Sequence, residues 1–391
     1  VIDLPSKIKL VDYFAVYEVT QGDFRLQSQN QNICLTSIED REILNICLDL
    51  LKKGCKVSDL LAQFDSEQKI KIQQLIISLW QREVLEDITN ETSEEKVDNV
   101  RYKQQSFFFS PFETQGNDKF EKHSLNIKKK FHRQLREASI IVLGLGQVGS
   151  TVVRSLALLG IQSIKLADWQ KVTLNDVWLG GWYDMADVDR YRCDALKAKI
   201  HQLNSDVQVD IIPWVDNELE TEAFQKHFSN TELVVLCLDK FIPKIYDAIN
   251  CACLDIKTPW ISYRSLGFEI TIGPLVIPGE SPCYKCSELR LLSNLSDVSE
   301  RLYLYNYLDS HNGWETGQLP IPFGADLLTM EIIKYLSGYS TPSTIDNILV
   351  LEMGNTQINL HPLLKVPRCP HCGITKKRRA LINNWVSTDE T

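Results

Sequence analysis

The sequence predicts an α/β protein in two parts. One is a small N-terminal winged-helix (β3α3) module, and the other is a larger domain built on a doubly wound, mostly parallel sheet. Three observations predict it. The first 90 residues run strand-strand-strand, then helix-helix-helix. From Ser139 onward, short apolar runs alternate with stretches of helical period, which is the pattern of a parallel sheet with crossover helices. The first of those runs passes through a glycine turn, "SIIVLGLGQVGSTVVRSLALLG" (139–160).

In the first part, residues 1–90, "YFAVYEV", "DFRLQSQ" and "NICLTS" read as strands, with Gly22-Asp23 marking the first turn. Ser37 opens a helix through "SIEDREILNICLDLLKKG", with Gly54 as its stop. Ser58 is a cap for the short helix "DLLAQF". The third helix, "SEQKIKIQQLIISLWQREVLED", carries Ile70, Ile72, Leu75, Ile76, Leu79 and Trp80 in an apolar stripe. Residues 91–130 shift to polar and charged composition and read as a linker. Its apolar spot, "SFFFSPFE", is expected to pack on a neighbouring domain.

Residues 131–391 form the second domain. "KKKFHRQLREA" reads as a helix with a solvated basic face. The strands are "SIIVLG", "SIKLAD", "VQVDIIPW", "ELVVLCLD" and "PWISYRS", followed by hairpin material in "FEITIGPLVIPG" and "DNILVLEM…TQINLHPLL". "GADLLTMEIIKYLSG" is an amphipathic helix between the hairpins.

Composition narrows the function classes. Hydrophobic content of 44% and charged content of 24% are globular values. No apolar run approaches the ~20 residues of a membrane helix, and the first residues lack the apolar core of a signal peptide. Eleven cysteines, mostly scattered in apolar segments, suit reduced thiols in the cytoplasm better than a disulfide scaffold. A net charge of −9 argues against nucleic-acid binding. The third helix agrees, because Lys69, Lys71 and Arg82 are offset by Glu67, Glu83, Glu86 and Asp87.

Two motifs carry chemistry. Gly144, Gly146 and Gly149 stand in the G-x-G-x-x-G register between a strand and a helix, and Asp168 ends the next strand about 20 residues on. That is a Rossmann-like nucleotide fingerprint with a ribose-binding acid; a tight structural turn is the plainer alternative. Cys283 and Cys286 (C-Y-K-C) and Cys369 and Cys372 (C-P-H-C) are two C-x-x-C pairs beside Pro or Gly. Four such thiolates suit structural Zn2+, with no open position for catalysis. Here the plainer alternative is coincidental reduced cysteines. His361 and His371 are nearby spare ligands, on neither of which the expectation rests.

Together with "LDKF" and "GPLVIPGESPCYKC", these motifs resemble the ubiquitin-activating-like ThiF/MoeB superfamily, which adenylates C-terminal carboxylates with ATP. The resemblance runs from about Phe131 to the C-terminus and implies an ATP site. It places Asp239 near the magnesium and α-phosphate. The chain then departs from the family pattern. Gln170 replaces a second acid and Asp176 an asparagine, Leu179-Gly180 replace an Arg-Gln pair, and Arg192, near Arg190, stands in for a lysine. Losing cations at the phosphate end removes transition-state stabilisation worth several kcal/mol per group.

"DVWLGGW" is similar to the corresponding stretch of the ocin-ThiF-like proteins (F-proteins, TOMM leader peptide-binding proteins). These pair a degenerate ThiF-like domain with an N-terminal RiPP recognition element. The resemblance implies a non-catalytic partner subunit in bacteriocin-type RiPP biosynthesis. Such a subunit binds a precursor peptide leader and delivers it to a separate YcaO-type cyclodehydratase that forms thiazolines and oxazolines. The leader would add as a strand beside Asn32, Ile33, Cys34, Leu35 and Thr36, against a wall of Ile72, Ile76, Leu79 and Trp80. The alternatives are an ATP-dependent peptide-carboxylate adenylase like the microcin-activating enzymes, and a nicotinamide oxidoreductase, which the paired cysteines oppose. Homodimerisation is common in this fold, and the residues do not decide it.

Overall fold

Strand β1 (Lys7–Leu10) opens the chain with strict alternation, Ile8 and Leu10 buried and the two lysines half-exposed. The computed structural model describes residues 4–20, 23–28, 31–36, 40–82, 84–89, 101–113, 130–214, 221–228, 230–266, 268–311, 313 and 322–373. It divides the chain into two units, Val1–Arg133 and Gln134–Thr391.

In the first unit β2 (Ala15–Thr20), β3 (Asp23–Gln27) and β4 (Asn32–Thr36) form an antiparallel sheet in that order. Phe24, Leu26 and Ile33 face inward, as period two requires. Helix α1 (Arg41–Lys53) ends at Gly54, whose φ of 79° suits glycine. β5 (Cys55–Lys56) then pairs with β1. Helix α2 (Val57–Leu61) starts at Lys56 without a side-chain cap, and Ser58 bonds Asp59 instead of capping. Helix α3 (Ser66–Gln81) begins with a full capping box between Asp65 and Gln68, the reciprocal arrangement that satisfies two orphan amides. β6 (Leu85–Asp87) closes the small sheet on the other side of β1. The Gly22 turn and the Ser37 start lie outside the described residues.

Helix Lys103–Glu113 stands inside the stretch read as linker. Its Phe107 meets Tyr13 edge-on at 5.7 Å, and Lys103 pairs with Asp12 at 3.0 Å. Helix Lys130–Glu137 then leads to the second unit's opening strand.

The second unit is built on an eight-stranded sheet. β7 (Ser139–Leu143), β8 (Ser163–Ala167), β9 (Gln208–Ile211), β10 (Leu233–Leu236) and β11 (Trp260–Leu266) are parallel and lie in the order β9-β8-β7-β10-β11. β12 (Glu269–Ile272), β13 (Asn347–Glu352) and β14 (Gln357–Pro362) extend the sheet antiparallel beyond β11. β7 and β10 are continuous buried runs because helices cover both faces of the parallel part. The strand order reverses between β7 and β10, and ligands of such sheets bind in the crevice at that point.

Candidate functional site

The crevice is formed by the turn after β7 and the loop after β10. Gly144 has a φ of 82°, and a Cβ there would lie 2.7 Å from the Cys237 carbonyl oxygen, so only glycine fits. Gly146 is the N-cap of the following helix, Gln147–Leu159, and brings no side chain to the helix start. Gly149 packs against the Gly144 carbonyl in the helix's first turn. A helix N-terminus of this kind attracts an anion. The anion nearest to it belongs to the chain: a Cβ on Gly146 would collide with both carboxylate oxygens of Asp239.

Arg192, the first residue of helix Arg192–Leu203, ties this arrangement together. Its Nη1 lies 3.1 Å from Asp168 Oδ2 and 3.1 Å from Asp239 Oδ2, and its Nη2 donates to Asp176 Oδ1 at 2.6 Å. Nη1 also donates to Gln170 Oε1 at 2.7 Å. Arg192, Asp168 and Asp176 are all buried. Asp168 accepts from the Leu145 amide at 2.7 Å and the Gln170 amide at 2.8 Å, so both its oxygens brace the loops. Asp176 serves a capping box with Thr173 through its other oxygen. Leu179 contributes its carbonyl, which takes the Gln147 side-chain amide at 2.6 Å. Tyr183 donates to the Leu145 carbonyl at 2.5 Å. Arg190 pairs with Asp187 at 2.8 Å rather than reaching the crevice residues. Asp168, expected from the sequence as a ribose acid, braces two loops through these bonds.

Three carboxylates around one guanidinium carry a formal charge of −2. Lost hydration pushes the Asp239 carboxyl up to about 6, with Arg192 pulling it back and Asp168 and Asp176 adding repulsion. A raised carboxyl pKa disfavours folding above that value, and the penalty fades as pH falls through about 6 toward the ordinary 3.8. Asp239→Asn is therefore expected to raise the melting temperature at pH 8, by roughly 1–2 kcal/mol of stability after solvent screening. It should change nothing at pH 3.5. Thermal melts across that range check it, and a lower melting temperature at pH 8 would mean the Arg192 contact outweighs the lost hydration.

The four cysteines of the second motif come together although 86 residues separate the pairs. Their sulfurs all lie within 4.8 Å of one another. Cys283 and Cys286 are 3.9 Å apart, Cys283 and Cys369 3.6 Å, and Cys286 and Cys372 3.4 Å. A tetrahedron with metal–sulfur bonds of about 2.3 Å has edges near 3.8 Å, so the cluster fits a metal. Burial pushes the Cys286 thiol up to about 11 and Cys283 higher still. A cation is what turns such buried thiols into thiolates. His371 faces Asn250 rather than the sulfurs, and His361 stands on the exposed strand β14.

A third feature lies within the first unit. Edge strand β4, α1 and α3 enclose a groove of about 250 Å³ lined by Cys34, Leu35, Thr36, Ile43, Leu75 and Ile72 among others. Asp40 and Lys71, 3.4 Å apart, face each other at its border. Asn32 is exposed on the same strand, whereas Ile33 is buried beneath it. Of the helix residues expected to form the wall, Ile72 lines the groove. Ile76, Leu79 and Trp80 are buried in the core of the unit instead. Of the expected stripe Ile72, Ile76, Leu79 and Trp80 pack inward and Ile70 is exposed, while the groove is walled by Gln68, Lys71 and Leu75. Those positions could have been found at i, i+3 and i+7 beside the stripe.

Among the described residues, no helix is long and apolar enough to cross a membrane. The sequence profile of the ThiF family matches residues 120–372. The Escherichia coli sulfur carrier protein ThiS adenylyltransferase is 26% identical over 62% of this chain and 88% of its own. The molybdopterin-synthase adenylyltransferase of the same organism is 23% identical over 61% and 88%. Among solved structures, E. coli MccB with MccA-N7isoAsn superposes with a TM-score of 0.61 at 17% identity, over 94% of this chain and 99% of that one. The microcin C7 biosynthetic enzyme MccB in complex with N-formylated MccA gives 0.62, also at 17% identity, over 94% and 100%.

Proposed function

The chain belongs to the ThiF family, and from that premise we propose that it is a peptide-delivering adaptor whose ThiF-like unit does not adenylate. In this reading the groove beside β4 takes the leader of a ribosomally made precursor peptide. The protein then presents that precursor to a separate YcaO-type cyclodehydratase for azoline formation.

The observation that carries the reading is the closure of the glycine turn by the chain's own side chains. Adenylation needs cationic and hydrogen-bond donors aimed at a polyphosphate as charge develops. Arg192, which reaches the turn, is committed to three carboxylates, and Asp239 lies against Gly146. The position that would take an arginine holds Leu179, which offers a carbonyl to Gln147. A triphosphate would have to displace one carboxylate while meeting two more. Zinc is the metal proposed for the four cysteines, as a closed structural ion.

The groove supports the peptide half of the proposal. An exposed strand edge beside an apolar recess offers main-chain hydrogen bonds and a pocket for alternate side chains, the two needs of strand addition. Complexes of MccB with MccA supply a structural neighbour that binds a peptide. The adenylating alternative rests on the likeness to adenylyltransferases over 88% of their length and on the retained glycine turn; a structure of E. coli MccB with ATP is among the neighbours. Synthetic leaders of azoline-forming precursors, dye-labelled and titrated with the full chain, test the proposal. Saturable binding competed by unlabelled leader supports it; leaders that bind no better than scrambled peptides contradict it.

A further inference from the structure

Each cysteine pair encloses two residues: Tyr284 and Lys285 in the first, Pro370 and His371 in the second. One face of helix Pro243–Ile256 meets three of these four. Asn250 is fully buried there. Its Oδ1 accepts from the Tyr284 backbone N–H at 3.1 Å, and its Nδ2 lies 3.0 Å from His371 Nδ1. One turn earlier, Asp247 Oδ1 is 3.4 Å from Lys285 Nζ and 3.8 Å from His371 Nδ1. Cys251 Sγ lies 3.5 Å from the same ring nitrogen.

The direction of these bonds follows from donor chemistry. A backbone N–H can only donate, so the Asn250 oxygen faces Tyr284 and its NH2 is left for His371. His371 Nδ1 therefore accepts, and its ring proton sits on Nε2. The histidine inside C-P-H-C thus serves as an anchor for the second pair, which explains why it is no ligand.

We propose that Asn250 is the positioning residue of the metal site: one buried amide that holds both cysteine pairs at the spacing of a tetrahedral divalent cation. The proposal rests on the metal reading above. The two pairs come from distant parts of the chain, so bringing four sulfurs within one coordination sphere costs chain entropy each time the ion binds. A fixed bridge between the pairs removes much of that cost, and groups that orient ligands in this way commonly change metal affinity 10–100-fold. The amide does so without touching the metal, by holding the backbone turn after Cys283 and the ring before Cys372.

The test uses the full chain loaded with Co2+, whose thiolate charge-transfer and d–d bands report the ligand set, with a chelator to time release. Asn250→Leu is expected to release cobalt 10–100-fold faster and to broaden the d–d bands. His371→Phe, which severs only the link to the second pair and changes a side chain at the margin of the core, should release it about 10-fold faster. Asn250→Asp should stay within about 3-fold of wild type, since a carboxylate accepts from Tyr284 and from the other His371 tautomer. Wild-type release rates and spectra in both Asn250→Leu and His371→Phe would overturn the clamp while leaving the metal reading intact. A wild-type chain that takes up no cobalt would overturn the metal reading and the clamp with it.

Discussion

Cys286→Ser is expected to empty the four-thiol cluster and to lower the melting temperature of the Gln134–Thr391 unit by on the order of 10 °C. A serine hydroxyl does not ionise near neutral pH and cannot stand in for a thiolate. Of the three remaining sulfurs, those of Cys283 and Cys369 would be left fully buried and that of Cys372 half-buried. Losing a structural ion costs folding free energy directly, and several kcal/mol in a unit of this size corresponds to a shift of that order. Metal content by elemental analysis and thermal melts with and without chelator check it. The groove of the first unit shares no residue with the cluster, so leader binding should survive the substitution. A variant that keeps one metal per chain and melts as wild type contradicts the structural role.

The second large effect is expected in the groove. Leu75→Asp should weaken leader binding roughly 30-fold, about 2 kcal/mol, by placing a charge where an apolar side chain would be buried. Leu75 is half-buried on the groove wall, so the fold should lose little. Leu79→Asp makes the informative contrast. Leu79 is 1% exposed in the core, and its replacement should unfold the module rather than selectively weaken binding. Peptide titration beside circular dichroism separates the two. Equal leader affinity for Leu75→Asp and wild type would remove the groove as the binding site.

That contrast also shows where the sequence is legible. A periodic stripe on α3 marks a buried face, yet it does not say whether the apolar partner is the protein's own core or a peptide. Tertiary packing decided for the core at Ile76, Leu79 and Trp80. The five parallel strands were readable because fully buried strands are continuous apolar runs between turn signals. β1 carries little strand signal, since "KIKL" is four residues long and half lysine. Helix Lys103–Glu113 hid in a polar context with a proline near its end. The C-x-x-C pairs announced themselves by spacing, whereas Asn250 gave no local signal at all. The Arg192 network lay between these extremes. Its members follow from the family pattern, but their pairing depends on loops that meet only in the folded chain.

In the crevice Asp168, Asp176 and both Nη atoms of Arg192 are bonded within the chain, whereas Arg192 Nε is buried without a hydrogen-bond partner. A phosphate entering the turn would first have to break these bonds. On the proposed reading the glycine turn persists as architecture, carrying β7 into its helix at the switch point of the sheet.

The most direct measurement is a calorimetric titration of the full chain with Mg·ATP at millimolar concentrations, paired with a thermal-shift assay. The account predicts no binding heat and no shift in melting temperature. Binding in the micromolar range that is lost on Asp168→Ala would contradict it and restore the chain to the adenylating enzymes.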